Sequence, residues 1–364
     1  MQVRTLFVAL FLFCFAGAGY PQNGGIFDHD NIKSAMLKVA DWQLKHPNHA
    51  PTDWTNGAFY AGVFAAYETT GDRSLLAAML DMGEKTKWQP GPRFDHADDI
   101  AISQTYIDLY RLKKDAKMIQ PTVDAIAHFK TEKGNEAEKH GITWWWCDAL
   151  FMAPPTFAKL GRTLKDNSYY ERNRAFFRQT YDLLYDKQEH LFARDAGYLI
   201  DAKGEGKHES NGKKIFWSRG NGWVAGGLVR LLKELPKNDP DRTFYERLFK
   251  DMMERVVTLQ QPDGLWRSSL LDPAAFPGGE ASGSGFYIYA MSWGVNNKVL
   301  DRKTFLPAIR KAWTGLNSLV TSDGKVGWTQ PIGADPRRNF TADSWEVYGA
   351  GAYLLAGSEV VKIK

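Results

Sequence analysis

Two kinds of predicted helix alternate along most of the chain, and this alternation limits the possible folds more than any other feature. Helices of the first kind, such as 32–46 and 73–87, have apolar residues at spacings of three and four and a charged opposite face. Helices of the second kind, such as 57–70 and 219–235, are rich in Gly, Ala and aromatic residues. Because a helix that is apolar all round must be buried, the pattern predicts an inner ring of helices wrapped by an outer ring.

The same pattern sets the number of helices and the domain organisation. We predict about a dozen helices, at 32–46, 57–70, 73–87, 98–112, 120–130, 149–164, 169–184, 219–235, 243–259, 286–295, 304–320 and 344–357. A helical hairpin with its loops takes about 45 to 60 residues, so the chain after residue 18 holds six or seven hairpins. No Ser/Gly or Pro tract separates two halves. The prediction is therefore an all-α toroid, with residues 19–364 as a single domain.

One segment departs from the helical rhythm. Residues 192–216 are polar and contain several glycines and lysines, and 198–200 are predicted as a strand. A long excursion of this kind in a compact helical domain is more often a functional lid than a plain connector.

The first residues have the pattern of a secretory signal peptide. Arg4 precedes an apolar run over 6–15, and 16–18 (AGA) supply a small-residue cleavage site. We therefore predict a signal peptide at residues 1–18 and export to the periplasm or the extracellular space. Cleavage would leave Cys147 as the one cysteine, and hence no intramolecular disulfide.

Charge and composition exclude several classes of partner. The formal net charge is +4, without a basic run with interleaved aromatic residues, so nucleic acid is not an expected ligand. The run over 6–15 is shorter than the roughly 18 apolar residues of a membrane span, and no feature indicates an obligate protein partner. Aromatic residues make up 13% of the chain, which places the surplus rings in the core or along a cleft.

Two short segments combine aromatic rings with ionic groups: 144–152 (WWWCDALFM) and 217–223 (WSRGNGW). A sugar ring presents an apolar C–H face to an aromatic plane, whereas its hydroxyls and carboxylate need fixed donors and a planar cation. The candidate lining residues are Trp146, Met152, Trp217, Arg219 and Trp223. The alternative is that these tryptophans belong to the core, as most tryptophans of a large globular protein do. The mixture favours a bound sugar acid.

Aspartates beside these segments are candidates for proton transfer. Asp148 follows three tryptophans, so partial desolvation should raise its pKa and let it hold a proton near neutrality. Asp98 and Asp99 open a predicted helix, and Asp99 could point toward the mouth of the toroid. A carboxyl pair with one protonated and one ionised member suits chemistry at a glycosidic centre. The structural alternatives are that Asp98 is an N-cap and that Asp148 caps the helix after it.

The sequence does not support a metal site, a phosphate-binding loop or a cysteine nucleophile. The histidines are scattered without metal-ligand spacing, so neither a metal site nor another cofactor is predicted. The segment 220–222 (GNG) is not a phosphate loop, because no strand and no GK[ST] motif surround it. Cys147 has no recognisable His partner and is better explained as a small buried residue than as a nucleophile.

Five motifs together resemble a known family, and the resemblance runs from about residue 32 to 355. The motifs are ADDIAISQTYIDLY, WWWCDALFMAPP, FWSRGNGWVAGGL, QPDGLWRSSLLDP and SWEVYGAGAYLLAGSEV. The chain resembles the unsaturated rhamnogalacturonyl hydrolases, glycoside hydrolase family 105, and the related unsaturated glucuronyl hydrolases of family 88. The resemblance implies a six-hairpin (α/α)6 barrel. It also implies hydration of the C4=C5 double bond that polysaccharide lyases leave at the non-reducing end of oligosaccharides.

The resemblance also implies roles for individual residues. Asp148 would be the general acid and base, and Asp99 the second carboxylate, with the adjoining Asp98 as the alternative. The five candidate lining residues named above match family positions in the substrate pocket. From the residue types and their spacing, we expect Arg219 to bind the substrate carboxylate while stacked between Trp217 and Trp223.

The sequence also departs from the family pattern at one position. Several family members have a histidine in the loop before WSRGNGW, where this chain has LFARDAGYL, so Arg194 or Asp195 would occupy that side of the pocket. The preference for a galacturonyl or a glucuronyl substrate therefore stays open. Two other functions stay open as well: a conventional inverting glycosidase that uses the same carboxylates, and a non-catalytic oligosaccharide-binding protein.

Overall fold

The computed structural model describes residues 25–93, 95–129 and 141–363. The predicted signal peptide, residues 1–18, lies outside these ranges. The helices of the described residues are α1 (His29–Lys45), α2 (Trp54–Thr70), α3 (Arg73–Lys85), α4 (Ser103–Lys113), α5 (Gln120–Ala127), α6 (Ala149–Met152), α7 (Pro154–Leu164), α8 (Ser168–Leu184), α9 (Ser218–Glu234), α10 (Arg242–Val257), α11 (Ala281–Asn296), α12 (Arg302–Asn317) and α13 (Val347–Val360).

These helices form two concentric rings. The inner ring consists of α2, α4, α6 with α7, α9, α11 and α13, each packed against the next, and α13 closes the ring on α2. The outer ring consists of α1, α3, α5, α8, α10 and α12, which alternate with the inner helices along the chain. This arrangement confirms the predicted all-α, six-hairpin (α/α)6 barrel.

Glycines on the inner helices let neighbouring backbones approach closely. A Cβ atom at Gly62 of α2 would lie 2.6 Å from the carbonyl oxygen of Gly351 of α13, and one at Gly227 of α9 would lie 2.1 Å from that of Leu150. Both separations are shorter than van der Waals contact. Larger residues at these positions would push the inner helices apart, which explains the small-residue composition of the inner ring.

The inner helices run parallel to one another. Gly222, near the start of α9, packs on Gly283, near the start of α11, and Gly57, near the start of α2, packs on Ala101 just before α4. The N-terminal ends of the inner helices therefore meet at one rim of the barrel. Helix N-termini carry partial positive charge, so this rim favours an anionic ligand.

Two local predictions were wrong. Residues 198–200 do not form a strand: Ala196–Tyr198 is a 3₁₀ turn, and no neighbouring part of the described chain pairs with the residues that follow it. The observed hairpin lies earlier, where β1 (Tyr185–Asp186) pairs antiparallel with β2 (Leu191–Phe192). The helix predicted from residue 98 begins instead at Ser103, after a 3₁₀ turn at Ala97–Ile100.

Candidate active site

Asp148 lies at the barrel rim, directly before α6. Its exposed fraction is 8%, and although it occupies the N-cap position, its side chain makes no capping hydrogen bond within the described chain. Its Oδ1 atom lies 3.2 Å from the Sγ atom of Cys147, which donates to it. The buried carboxyl group is therefore not explained as a helix cap.

The environment of Asp148 is charged as well as buried. Burial raises its pKa, the guanidinium groups of Arg194 and Arg219 lower it, and the charge of Asp195 raises it; the balance lies above the ordinary value for aspartate. Burial also raises the pKa of the Cys147 thiol well above its usual range, so this thiol stays protonated. Asp148 can thus hold a proton at a pH where an exposed aspartate would have lost it.

Asp98 interacts electrostatically with Asp148. It lies on the 3₁₀ turn before α4, where burial raises its pKa, Arg93 lowers it, and the charges of Asp148 and Asp99 raise it again, to about 7. Asp98 therefore keeps its proton to a higher pH than an exposed aspartate does, and the charge of Asp148 is one of the causes. The structure thus places Asp98 near enough to Asp148 for their charges to interact.

Asp99 is bound to Arg93. Its Oδ1 atom lies 2.8 Å from Nε and 2.6 Å from Nη2 of Arg93, and its Oδ2 atom accepts the backbone N–H of the same residue. The backbone carbonyl of Asp99 also accepts the N–H of Gly91. Asp99, which the resemblance suggested as the second carboxylate, therefore has both carboxylate oxygens engaged by one arginine.

His96 also belongs to the site, although the sequence reasoning considered it only as a metal ligand. Its ring lies against that of Trp146, with centroids 4.8 Å apart, and its Nδ1 atom accepts the backbone N–H of Asp98 at 3.3 Å. Burial, and after it the charge of Arg93, lowers the pKa of His96 to about 4. A neutral imidazole thus connects Trp146 to the turn that carries Asp98.

Arg219 is completely buried between two aromatic rings. Its guanidinium carbon lies 4.3 Å from the centroid of Trp217 and 4.8 Å from that of Tyr348. Its Nη1 and Nη2 atoms donate to the carbonyl oxygens of Gln330 and Pro331, at 2.6 and 2.9 Å. The second stacking partner is therefore Tyr348 and not Trp223 as predicted, because α13 brings residue 348 to the rim beside the start of α9.

The other predicted lining residues form closely packed walls beneath and beside this arginine. Trp223 is fully buried against Phe151 and Phe286, with centroids 4.9 and 4.5 Å apart. The indole N–H of Trp217 donates to Oε1 of Gln330 at 3.3 Å. Met152 and Trp146 are buried as well. Among these side chains, Trp146 lies beside the carboxyl pair, and Trp223 belongs to the core layer below it.

Arg194 and Asp195 flank Asp148 on the other side. The backbone of 194–195 pairs with that of 146–147, since the N–H of Cys147 donates to the carbonyl of Arg194 at 2.8 Å. The Nη1 atom of Arg194 lies 2.6 Å from Oδ2 of Asp195, and its side chain is 19% exposed. This pairing brings a partly accessible cation to the Asp148 carboxyl.

The described residues contain neither a cluster of metal-binding side chains nor a membrane-spanning helix. In 25–93, 95–129 and 141–363, no three His, Cys, Asp or Glu side chains are grouped to hold a metal ion. None of the helices in those same ranges has the length and apolar character needed to cross a bilayer.

A buried aspartate at the N-terminal rim of an (α/α)6 barrel, with a second aspartate, arginines and stacked aromatic rings near it, is typical of a glycoside hydrolase of the α/α-barrel class. Residues 29–364 match the model of Glycosyl Hydrolase Family 88. The chain belongs to this family, which confirms the resemblance found in the sequence.

Three similar proteins are informative. The unsaturated 3S-rhamnoglycuronyl hydrolase of Formosa agariphila is 46% identical over 356 residues, which cover 95% of this chain and 94% of that protein. A protein of the same name from an Alteromonas species is 33% identical over 85% of this chain and 77% of its own length. A solved structure described as a polysaccharide lyase is 32% identical, with a TM-score of 0.84 over 92% of this chain and 97% of that one.

Proposed function

We propose that this glycoside hydrolase removes a 4,5-unsaturated uronyl residue from the non-reducing end of oligosaccharides produced by polysaccharide lyases. The reaction is hydration of the C4=C5 double bond. The observation that carries the proposal is the buried Asp148, whose raised pKa lets it hold a proton beside Arg194 and Arg219, with Asp98 on the neighbouring turn. The two relatives named as unsaturated 3S-rhamnoglycuronyl hydrolases support it, and we take an unsaturated uronyl residue linked to rhamnose as the candidate substrate.

In the first step, Asp148 is the general acid. It donates its proton to C4 of the enol ether, and the double-bond electrons that form the new C4–H bond leave an oxocarbenium-like centre at C5. We propose Asp98 in place of Asp99 as the second carboxyl group, ionised above its pKa of about 7, because Asp98 interacts with Asp148 while Asp99 is engaged by Arg93. The negative charge of Asp98 stabilises the positive charge that develops on the sugar.

In the second step, Asp148 is the general base. It takes a proton from water as the water oxygen bonds to C5, which restores its protonated form and gives a hemiketal. The hemiketal opens to a ketone at C5, and the hemiacetal left at C1 expels the neighbouring sugar. One water is consumed, and the chemistry uses the two carboxyl groups and the substrate itself.

The cations of the site attract the uronate carboxylate. The sequence predicts that the guanidinium group of Arg219 binds the uronate carboxylate, but both of its Nη atoms already donate to backbone carbonyls. We therefore propose that Arg219 contributes its charge and holds the rings of Trp217 and Tyr348 in place, while the partly exposed Arg194, which is paired with Asp195, is the cation that contacts the ligand. Trp146, Met152 and Trp217 remain the proposed aromatic and thioether walls of the pocket, and Trp223 supports them from the core layer below.

The ultraviolet absorbance of the conjugated uronate tests this function. The purified protein is mixed with lyase-made disaccharides of galacturonyl and of glucuronyl type, each linked to rhamnose. Hydration consumes the double bond, so we expect the absorbance to fall as free rhamnose appears. A conventional glycosidase would release sugar without this fall, a binding protein would change neither signal, and a lyase would raise the absorbance of an unmodified polysaccharide.

We also propose that the protein acts after export. The support for this is the charged and apolar pattern of residues 1–18. Cell fractionation with an antibody against the barrel tests this proposal, and retention of the uncleaved chain in the cytoplasm would contradict it.

A further inference from the structure

The helix that Asp148 precedes is interrupted after a single turn. α6 covers four residues, and α7 begins directly after it, at Pro154. Because Pro155 has no backbone N–H, the carbonyl group of Phe151, four residues earlier, lacks the donor that a continuous helix would supply. A buried carbonyl without a donor is unfavourable. A group from outside α6 must therefore satisfy this end of the helix.

Gln104, on α4, supplies this donor. Its side chain is completely buried, and its Nε2 atom donates to the carbonyl oxygen of Phe151 at 2.9 Å and to that of Met152 at 3.3 Å. Its Oε1 atom accepts a hydrogen bond from Nε of Arg230, on α9, at 2.6 Å. One amide group thus connects three neighbouring inner helices.

Arg230 determines which way this amide points. An arginine can only donate hydrogen bonds, so the oxygen of the amide must face Arg230 and its NH₂ group must face α6. The guanidinium carbon of Arg230 also lies 5.9 Å from the ring centroid of Phe151. Three residues earlier on α9, Gly227 packs directly on the carbonyl group of Leu150. These contacts hold α6 between α4 and α9.

A second buried side chain connects α6 to the turn that carries Asp98. The Oγ1 atom of Thr156 lies 3.0 Å from the carbonyl oxygen of Ile100, the last residue of that 3₁₀ turn, and 3.3 Å from the carbonyl oxygen of Met152. Thr156, like Gln104, is completely buried. The position of α6 is therefore set by side chains of the helices around it.

We propose that Gln104, oriented by Arg230, and Thr156 are positioning residues that hold α6 where Asp148 can reach C4 of the sugar. They act through the backbone of α6 and not on the sugar itself. A displacement of about 1 Å at a reacting group can lower the rate about a hundredfold, so a small shift of α6 is enough to be measured. The inference rests on the proposed function.

Two substitutions at Gln104 test the proposal. Gln104→Met keeps a similar volume and removes both ends of the amide. Gln104→Glu keeps an acceptor for Arg230 and, as a carboxylate beside that cation, has no N–H for Phe151. We expect kcat, corrected for the folded fraction, to fall about ten- to a hundredfold in both variants. KM should change by less than about twofold, because the proposed ligand contacts Arg194 and Trp217 lie outside α6.

One further variant and a control complete the set. Thr156→Val keeps the shape of the side chain and removes the hydroxyl group, so it should lower kcat by a smaller factor, again with little change in KM. Gln188→Glu makes the same substitution as Gln104→Glu at an exposed glutamine, and it should keep the kcat of the wild type. A wild-type kcat in folded Gln104→Glu would overturn the inference.

A double-mutant cycle distinguishes positioning from a loss that does not involve Asp148. Asp148→Glu moves the carboxyl group by one methylene, and Gln104→Met moves the backbone that carries it. If both act on the same proton transfer, the loss of kcat in the double variant differs from the product of the two single losses. Losses that simply multiply would assign Gln104 to the scaffold and overturn the inference.

A crystal structure of Gln104→Met tests the inference without turnover. We expect residues 148–152 to be displaced relative to α4 and α9, and an unchanged position would overturn the inference. A wild type without activity would contradict the proposed function and leave this displacement as the test of Gln104. If Gln104→Met does not fold, the same cycle and the same structure are obtained with Thr156→Val, and multiplying losses or an unmoved α6 overturn the inference equally.

Discussion

The carboxyl group of Asp98, on the turn before α4, lies close enough to that of Asp148, at the start of α6, for the charge of Asp148 to raise the pKa of Asp98. The two residues belong to different hairpins and meet because the inner helices are parallel and begin at the same rim. Neighbouring inner helices thus provide the two carboxyl groups of the proposed mechanism.

This relationship predicts different effects for two adjacent aspartates. Asp98→Asn removes the charge that faces Asp148, and we expect a loss in kcat on the order of 10² or more. Asp99→Asn disturbs Arg93 and reaches Asp98 only through it, so its loss should be smaller. Steady-state kinetics on both variants show which loss of kcat is larger. A larger loss in Asp99→Asn would assign the role of second carboxylate to Asp99.

The same pKa shift predicts how Asp98 affects stability. Its pKa rises from 3.8 in the unfolded reference to about 7 in the fold, so between these values the folded protein holds a proton that the unfolded chain has released. The contribution of this group to stability is present below the lower value and is lost as pH rises through the higher one. Asn cannot ionise, and Asp98→Asn should therefore gain more stability at about pH 8 than at about pH 5, by up to about 3 kcal/mol. Thermal unfolding at the two pH values measures this, and an equal gain at both would contradict the shift.

Arg219→Lys should weaken both the fold and the reaction. The ammonium group of a lysine cannot reproduce the two hydrogen bonds that the planar guanidinium donates to the carbonyls of Gln330 and Pro331. It also cannot stack as a plane between Trp217 and Tyr348. Losing hydrogen bonds from a charged group costs about 1.5 to 3 kcal/mol. We expect a lower Tm together with a lower kcat/KM, compared with Arg247→Lys as an exposed control. An unchanged Tm with lower kcat/KM would show that Arg219 acts on the ligand alone.

Gly227→Ala tests the close packing of the inner ring. A Cβ atom there would lie 2.1 Å from the carbonyl oxygen of Leu150, on the segment that carries Asp148. Alanine favours a helix by up to about 1 kcal/mol over glycine, but overpacking costs about 1 to 3 kcal/mol, so the Tm should fall. Gly25→Ala, with no atom within 4 Å of the added Cβ, is the control. Equal Tm values for the two variants would show that the inner helices adjust without cost.

The sequence was sufficient for the fold because its two helix types correspond directly to the two rings. Apolar helices such as α11 and α13 are buried along their whole length, and their Gly and Ala content reflects the close backbone contacts of the inner ring. Periodicity and small-residue content are local properties, so they can be read without knowledge of the tertiary structure.

The details of the site depended on contacts that a local pattern does not contain. Adjacent side chains on a 3₁₀ turn point about 120° apart, and our proposal of Asp98 over Asp99 depends on the bond from Arg93 to Asp99, which no local pattern shows. Tyr348 stacks on Arg219 from a helix at the other end of the chain. Its position follows from the closure of α13 onto α2, which no short motif shows.

The central claim is that Asp148 supplies the proton that hydrates the double bond. The most direct measurement follows the vinyl proton at C4 of an unsaturated uronyl-rhamnose disaccharide by ¹H NMR, with wild type, Asp148→Asn and the exposed control Asp81→Asn. We expect the signal to disappear with wild type and Asp81→Asn. In folded Asp148→Asn it should persist, with a rate loss beyond the roughly 10² to 10⁴ of a single acid-base step. Loss of the vinyl signal at the wild-type rate in Asp148→Asn would contradict the account.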